Sequence, residues 1–225
     1  MVRFRSYLWI EGVSLMGTKN YFDQVAREWD KMRESFFSEA VREKAFSIAG
    51  LQLGKIAADI GAGSGFMTEG LIRRGIQVIA VDQSEAMLAE MKKKFIGLQD
   101  VDYRVGEAEW LPISDETVDY VFANMFLHHV ESPSAAIKEM VRILKPGGMM
   151  VITDLDEHSF VFLKTEHHDR WMGFKREEIK KWLEEAGLRN VIVDCVGENC
   201  CAESSCGSDY ASISIFVASG EKIRL

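Results

Sequence analysis

Three glycines stand close together in the segment DIGAGSG (59–65), at positions 61, 63 and 65. An apolar run precedes them and an amphipathic stretch follows, so backbone N–H groups of a strand-to-helix turn can approach a ligand there. Asp59 adds a carboxylate that suits a ligand with an amine and a sulfonium, and that would repel a pyrophosphate. A dinucleotide-binding loop would have glycine three positions after Gly63, where this chain has Phe66. The segment indicates a cationic cofactor, the alternative being a tight turn without a ligand.

Polar groups also follow the next predicted strands, at the edge where parallel strands end. Asp82 ends the second strand, where its carboxylate can accept hydrogen bonds from a ribose diol; a helix-capping or solvated aspartate is the alternative. The loop GEAEWLP (106–112) offers Glu107 and the backbone of Ala108 to an adenine edge, and Asn124 closes the fourth strand. These positions predict one cofactor site along the edge of the sheet.

Two adjacent histidines, His128 and His129, follow the fourth strand at the same edge. An imidazole has a pKa suited to proton transfer near neutral pH, so these residues are the candidate catalytic bases. Paired histidines at a strand end also serve packing and hydrogen bonding, and that alternative stays open.

Histidines and cysteines are concentrated after the fifth and sixth strands, in 154–174 and 195–207. Both segments are predicted as loops that open at the carboxyl edge of the sheet, where thiols and imidazoles together suit a soft metal or metalloid such as arsenite. The alternative is a set of reduced cysteines without a ligand. The candidate metal ligands are Cys200, Cys201, Cys206, His167 and His168, with His158 facing the same site.

The elements that would position these residues alternate between short apolar runs and longer amphipathic stretches, which is typical of βαβ units on a parallel sheet. We therefore expect an α/β fold, a Rossmann-like, doubly wound, seven-stranded and mostly parallel sheet with an antiparallel last strand. Strands are predicted at 55–60, 77–82, 101–105, 118–124, 149–155, 190–196 and 211–219, with a cysteine-bearing loop between the last two.

Helices are predicted between the strands, at 84–95 after the N-cap Ser84, at 132–144 before KPGG, and at 174–188. The segment 1–19 is expected to be a poorly ordered tail, and 20–50 a helical lid over the domain formed by 51–225. The alternative for 20–50 is an extra helix whose aromatic residues, Trp29 among them, pack on the sheet.

Four motifs in order carry a resemblance that covers roughly residues 20 to 220: DIGAGSG, VDQSEAML (81–88), GEAEWLPISDETVDYVFA (106–123) and RILKPGG (142–148). With them the chain resembles the class I S-adenosylmethionine-dependent methyltransferases, in particular the group that includes the quinone-biosynthesis C-methyltransferases. The resemblance implies S-adenosylmethionine as cofactor. It also implies that Asp59, Gly61, Ala62, Gly63 and Gly65 surround the methionine part of that cofactor.

By the same resemblance Asp82 takes the ribose hydroxyls, Gln83 or Met87 lines the adenine pocket, and Glu107 binds the adenine amine. Glu107 stands where the family usually has Asp, so the adenine contact is longer or comes from the backbone of Ala108. Trp29 stands where relatives often have tyrosine in an entry helix.

The composition and charge exclude some classes of function. The 225 residues have a formal net charge of -8 and no basic block, so the electrostatic signature of nucleic-acid binding is missing from the sequence. Its apolar runs are shorter than a bilayer span, so we expect a cytoplasmic protein without a membrane or nucleic-acid partner. The predicted function is methylation of a small molecule, with a thiophilic metalloid or soft metal as one acceptor. The alternatives are a quinone-type carbon acceptor and a non-catalytic S-adenosylmethionine sensor, and a homodimer stays open.

Overall fold

A computed structural model of the chain describes residues 17–98 and 100–223. Within these residues seven strands form a single sheet in the order β3-β2-β1-β4-β5-β7-β6. Strands β1 to β5 pair in parallel, whereas β7 pairs antiparallel with both β5 and β6. The α/β class and the antiparallel last strand are therefore confirmed. The strands are β1 Ile56–Ile60, β2 Gln77–Asp82, β3 Val101–Val105, β4 Val118–Asn124, β5 Leu144–Leu155, β6 Leu188–Glu203 and β7 Tyr210–Lys222.

Eight α-helices accompany the described strands. The predicted N-cap is confirmed, since Ser84 Oγ accepts from the Met87 N–H at 3.1 Å. One turn of 3₁₀-helix, Leu127–His129, follows β4. The helices are α1 Thr18–Val25, α2 Trp29–Arg33, α3 Glu39–Ala49, α4 Phe66–Ile72, α5 Glu85–Lys94, α6 Pro133–Ile143, α7 Phe162–Glu166 and α8 Arg176–Glu185.

Successive residues of the central strands point to opposite faces, so the sheet divides the core into two apolar layers. Ala57 and Phe122 belong to the layer that contains α3 and α4, and Ala58 and Val121 to the layer that contains α6 and α8. All four are buried. Because both faces are covered, the polar groups at the carboxyl ends of β1, β2 and β4 are left as the edge available to ligands.

Two predicted boundaries were wrong. The segment KPGG was predicted to precede the fifth strand, but β5 begins at Leu144 and includes it. Val118 pairs with Leu144 and Tyr120 with Met149, so the extra residues form an irregularity in the strand.

Cys195 lies on β6 as the predicted strand 190–196 requires, but the cysteine-bearing loop was predicted wrongly, because Cys200 and Cys201 also lie on this long strand. Cys206 lies in the short connection between β6 and β7. The antiparallel pairing with β7 extends from Leu188 to Glu203 and draws the segment predicted as a loop into the sheet.

The N-terminal predictions concern 1–19 and 20–50. Residues 1–16 of the predicted tail lie outside the described residues, and Thr18 and Lys19 already belong to α1. The segment 20–50 forms most of three helices, α1 to α3. Its role as a lid stays a prediction.

Candidate functional site

The glycine loop leaves the end of β1 and enters α4 through three left-handed backbone conformations. Gly61, Gly63 and Gly65 have φ angles of +67°, +54° and +95°. A Cβ at Gly61 would lie 2.0 Å from Cδ2 of Phe126, and one at Gly65 would lie 2.7 Å from the ring of Phe95. Glycine is required at both positions because the backbone and the neighbouring rings leave no space for a side chain.

Asp59 is buried beneath this loop, with 1% of its surface exposed. Its Oδ2 accepts hydrogen bonds from the backbone N–H and from the hydroxyl of Thr68, at 3.0 and 2.6 Å. Burial raises the pKa of Asp59 to about 7, although the two bonds from Thr68 lower it. The carboxyl group thus joins β1 to the first turn of α4.

Asp82 joins the end of β2 to the same loop. Its Oδ2 accepts from the N–H of Gly63 at 2.8 Å, and its Oδ1 accepts from the N–H of Ser84 at 2.8 Å. Burial raises the pKa of this carboxyl group, while both hydrogen bonds lower it. A carboxylate has further lone pairs, so these two bonds leave room for a hydroxyl donor.

Two cavities adjoin the loop. The large cavity, about 540 Å³, lies between the ends of β1 and β2, the loop after β3 and the N-terminus of α1. The glycine-loop cavity, about 70 Å³, lies between the loop, α2 and the end of β4. The residues predicted to bind the cofactor that line one or both are Asp59, Gly61, Ala62, Gly63, Asp82, Gln83, Met87, Glu107, Ala108 and Asn124.

Gly65 alone among the predicted cofactor residues lines neither cavity, because it is the N-cap of α4 and packs against Phe95 and Met91. Asn124 is held by the Thr153 hydroxyl, which donates to its Oδ1 at 2.7 Å. The predicted cofactor residues of the separate motifs therefore lie at one edge of the sheet. Cofactor binding by each of them stays a prediction.

Helices α1 and α2 lie over this edge and are tied to it by hydrogen bonds. Ser84 Oγ donates to Asp23 Oδ1 at 2.6 Å, and Ser64 Oγ donates to Asp30 Oδ1 at 2.5 Å. Trp29 Nε1 lies 3.5 Å from the position of an added Cβ on Gly63. Sequence reasoning missed both acidic residues, because Asp23 is 61 positions from its serine and Asp30 is 34 positions from its own.

A third space, the aromatic cavity, has a volume of about 50 Å³ and shares part of its wall with the glycine-loop cavity. The rings of Phe22 and His129 are 5.0 Å apart, and those of Phe36 and His167 are 5.3 Å apart. The shared residues are Phe22, Trp29, Phe37, Met125 and His129. A ligand in the aromatic cavity would therefore be adjacent to one at the glycine loop.

The two predicted catalytic histidines belong to a buried polar cluster on the wall of the aromatic cavity. Nδ1–H of His128 donates to Asp154 Oδ1 at 2.6 Å, and its Nε2 lies 3.9 Å from Asp169 Oδ1. The Nδ1 atom of His129 lies 3.8 Å from the same oxygen and is buried without a hydrogen-bond partner. Asp154 is 0% exposed and also accepts from the N–H groups of Phe126 and Leu127.

The cluster has unequal proton affinities. Burial lowers the pKa of His128, but Asp154 and Asp169 raise it more, to about 9. Burial and the neighbouring His128 lower the pKa of His129 well below its usual value. Burial raises the pKa of Asp169 to about 6. A general-base role for either histidine stays a prediction.

Asp154 and Asp169 were missed as site residues. The signal available for Asp154 is its position at the end of the fifth predicted strand. Asp169 lies in the segment EHHDRW (166–171), whose backbone is held against the histidines because Arg170 and Trp171 N–H groups donate to the His128 carbonyl.

The predicted soft-metal ligands are not gathered in one place. Cys200 is buried in the wall of the aromatic cavity, and burial, followed by Asp169, raises its pKa to about 12. Its neighbour Cys201 points to the other face of β6, as strand geometry requires, and Cys206 is exposed. Hydrogen bonds from Ser204 and Ser208 lower the pKa of the Cys206 thiol.

The histidines of the prediction are divided as well. His167 lines the aromatic cavity, whereas His168 packs on Tyr21 with a ring separation of 4.8 Å. His158 lies outside that cavity wall. In residues 17–98 and 100–223, the three-residue cluster with metal-ligand spacing is formed by His128, His129 and Asp169, and it contains none of the predicted ligands.

Comparison with known proteins assigns this architecture to a class. Residues 58–152 match a family described as a methyltransferase domain. The chain is 29% identical over 167 residues to malonyl-[acyl-carrier protein] O-methyltransferase of Marinomonas sp., and the match covers 71% of this chain and 60% of that protein. It is 28% identical over 204 residues to demethylmenaquinone methyltransferase of Staphylococcus aureus, covering 76% and 85% of the two chains.

Among solved structures, Haemonchus contortus phosphoethanolamine N-methyltransferase 2 in complex with S-adenosyl-L-methionine superimposes with a TM-score of 0.76 at 17% identity. The match covers 96% of this chain and 62% of that one. The chain has the class I S-adenosylmethionine-dependent methyltransferase fold, and residues 58–152 match the methyltransferase-domain family. The predicted resemblance is thereby confirmed.

None of the helices within 17–98 and 100–223 combines the length and the apolar character that a bilayer crossing requires.

Proposed function

We propose that this chain transfers the methyl group of S-adenosylmethionine to a small acceptor whose body is aromatic or otherwise apolar. The observation that carries the proposal is the aromatic cavity, which adjoins the glycine loop through a shared wall of rings and Met125. The large and glycine-loop cavities would hold the cofactor, and the aromatic cavity would hold the acceptor.

The cofactor part of the proposal rests on matching chemistry along one sheet edge. Asp82 has lone pairs for a ribose diol, the glycine loop presents backbone N–H groups, and Asp59 lies below with its Oδ1 atom still available. Glu107 and Ala108 line the large cavity, whose wall also includes Gly61 and Asp82. The glycine loop, Asp82 and the loop with Glu107 would thus face the methionine, ribose and adenine parts of one molecule, in which ribose links the other two.

Methyl transfer is an in-line displacement. The acceptor nucleophile forms a bond to the methyl carbon while the bond from that carbon to sulfur breaks, and sulfur keeps the electron pair as a neutral thioether. Because the sulfonium is already an activated leaving group, the protein mainly has to align the two molecules and exclude water. Helices α1 and α2 supply that exclusion in the proposal, since Phe22 and Trp29 border both cavities.

The class of acceptor follows from the residues of the cavity wall. Rings of Tyr21, Phe22, Trp29 and Phe36 favour an apolar body, because aromatic side chains pack edge-to-face or offset against one another and against ligands. The demethylmenaquinone methyltransferase named above is consistent with a quinone-type carbon acceptor. A thiophilic metalloid has weaker support here, since Cys200 is the one predicted thiol on this wall.

The test is turnover with cofactor labelled in its methyl group. Purified, reduced chain would be incubated with small phenols and hydroquinones, with amines, with thiols and with arsenite, and S-adenosylhomocysteine and methylated product would be measured by mass spectrometry. The proposal expects product with members of the aromatic set. Cys200→Ser serves as a variant, and aromatic turnover should survive it because a quinone-type or phenolic acceptor needs no thiol ligand.

Two other outcomes are informative. Turnover confined to arsenite and lost in Cys200→Ser would replace the aromatic acceptor with the thiophilic one. Tight cofactor binding by calorimetry, without turnover on any set, would favour the sensor.

A further inference from the structure

The geometry points to a divalent transition-metal site formed by His128, His129 and Asp169 at the wall of the aromatic cavity. Their ligand atoms, two imidazole nitrogens and a carboxylate oxygen, lie within 4.8 Å of one another. The site differs from the predicted cysteine cluster in every ligand. It assigns the two adjacent histidines a role other than that of a general base.

The distances suit an ion better than a hydrogen-bonded network. Asp169 Oδ1 lies 3.9 Å from Nε2 of His128 and 3.8 Å from Nδ1 of His129, and both distances are too long for hydrogen bonds. Two ligands of a tetrahedral ion with bonds of about 2.0 to 2.1 Å are roughly 3.4 Å apart. Small side-chain rotations would therefore bring all three atoms to coordination distance.

A second observation points to a missing partner at the same place. The side chain of His129 is 10% exposed, and its buried Nδ1 atom has no hydrogen-bond partner. A buried polar atom without a hydrogen-bond partner destabilises the folded state unless another group pairs with it. A metal ion between His129 and Asp169 would supply the partner.

The His128 ring is held by a carboxylate, as metal-binding histidines commonly are. A ligating imidazole usually donates its other N–H to a carboxylate, which fixes the ring and its tautomer. Nδ1–H of His128 donates to buried Asp154 at 2.6 Å and leaves Nε2 directed at Asp169. Asp154 is held in turn by the N–H groups of Phe126 and Leu127, at 3.1 and 2.8 Å.

The ligand types limit which metal ions can bind at this site. Two imidazoles and one carboxylate suit Zn²⁺, Fe²⁺ or Co²⁺ and are unlike the all-oxygen sets that Mg²⁺ and Ca²⁺ take. Three protein ligands leave a coordination position open, as in sites where a metal meets a small molecule. All three residues line the aromatic cavity, so that position would face whatever occupies it.

Metal binding can be measured without cofactor or acceptor, so its failure is separate from failure of the proposed methyl transfer. Chain treated with a chelator and dialysed would be titrated with Zn²⁺ against a chromophoric competitor, and with Co²⁺ while the visible spectrum is recorded. We expect about one ion per chain and a cobalt spectrum without the near-ultraviolet band of a thiolate ligand.

Three variants and one matched control locate the ion. Asp169→Asn and His129→Gln should weaken Zn²⁺ binding by more than about 100-fold, and Asp154→Asn by about 10- to 100-fold. His158→Gln is the control, because His158 also has a buried, unpartnered Nε2 atom but stands outside the cluster. It should bind Zn²⁺ like the unsubstituted chain, and circular dichroism with S-adenosylhomocysteine binding would check the folding of each variant.

The site assignment would be overturned by failure of the folded, unsubstituted chain to bind Zn²⁺ or Co²⁺. Equal binding by the Asp169→Asn variant, or a cobalt–thiolate band that disappears in Cys200→Ser, would overturn it as well. The cobalt spectrum needs no variant, so it decides the ligand type even where a substitution prevents folding.

Discussion

The cofactor side of the site and the aromatic cavity are built from the chain in different ways. The walls nearest the glycine loop come from strand ends and the turns directly after them, in residues 59–66, 81–87 and 106–109. The aromatic cavity combines α1, α2 and the turn after α2 with residues 125–129, 155–169 and 200–202. Its walls therefore meet only after the N-terminal helices, the segment after β5 and the edge strand β6 have all packed on the sheet.

This contrast explains why the sequence predicts the cofactor side better than the aromatic cavity. Short motifs specify the turns at the cofactor side, because each glycine or carboxylate acts within a few residues of its partners. The aromatic cavity depends on contacts between segments far apart in sequence, such as the 5.3 Å ring contact of Phe36 with His167. Substitutions on the two sides should therefore have separable effects, and the following variants test that separation.

The largest expected effect is that of Asp82→Ala. This change removes the carboxylate proposed to bind ribose, together with the two part-buried hydrogen bonds that it accepts from the N–H groups of Gly63 and Ser84. Loss of the two hydrogen bonds that a ribose diol would donate to this carboxylate, at about 1.5 to 3 kcal/mol each, should lower S-adenosylmethionine affinity about 100-fold or more in calorimetric titration.

Asp102→Ala is the matched control, because Asp102 is an exposed carboxylate on β3 paired with Arg104. Its cofactor affinity should equal that of the unsubstituted chain. Equal affinities in all three proteins would remove Asp82 from the cofactor site and erase the proposed difference between the two sides.

Gly61→Ala should have the next largest effect. Its Cβ would overlap the ring of Phe126 and would also stand on a left-handed backbone with φ +67°. We expect cofactor affinity to fall about 10- to 100-fold, since a displaced Phe126 ring would enter the large and glycine-loop cavities that it lines.

Gly97→Ala separates backbone strain from this overlap. Gly97 has φ +85° and nothing within 4 Å of an added Cβ, so both variants should lose about 1 to 2 kcal/mol of stability from strain. Only Gly61→Ala should lose cofactor affinity. A similar loss in both would mean that strain, and not the position of Phe126, controls the loop.

On the other side, Phe36→Ala should raise the KM for an aromatic acceptor about 5- to 30-fold, corresponding to about 1 to 2 kcal/mol of lost contact. Phe36 lines the aromatic cavity and neither of the other two, so cofactor affinity should change less than about twofold by calorimetry. Ile96→Ala, at a side chain that is 86% exposed, is the control. A loss of cofactor affinity equal to the rise in acceptor KM would show that the aromatic cavity and the cofactor side are not independent.

The last effect concerns the pH dependence of folding stability and not ligand affinity. The pKa of Asp59 is raised to about 7 by burial, whereas an exposed aspartate ionises near about 3.9. Between these values the unfolded chain loses the proton and the folded chain keeps it, so the contribution of Asp59 is greatest below about pH 4 and is lost as pH rises to about 7.

Asp59→Asn should lack this loss. Urea unfolding between about pH 5 and pH 7 should show the free energy of unfolding of the variant rising, relative to the unsubstituted chain, by up to about 1.4 kcal/mol per pH unit. Other titrating groups are common to both proteins and cancel in the difference. Parallel curves would mean that Asp59 is ionised throughout, which would leave a full negative charge under the glycine loop.

The sequence by itself determined the class of fold and most of the cofactor side. Alternation of apolar runs with amphipathic stretches predicts parallel strands, and parallel strands bring their carboxyl ends to one edge. Asp59, Asp82 and the glycine loop each directly follow or end such a strand, so their meeting follows from topology alone. Gly65 is the exception, because its contacts with Met91 on α5 and with Phe95 directly after that helix come from packing.

Only the tertiary structure decided the composition of the aromatic cavity. Insertion of β7 between β5 and β6 makes the cysteine segment a paired strand, so side-chain alternation buries Cys200 and turns Cys201 away. Asp169 reaches His128 and His129 across about forty residues because the segment after α7 folds back onto the His128 carbonyl. Contacts of this kind depend on how separate elements pack, and the spacing of residues along the chain does not determine that packing.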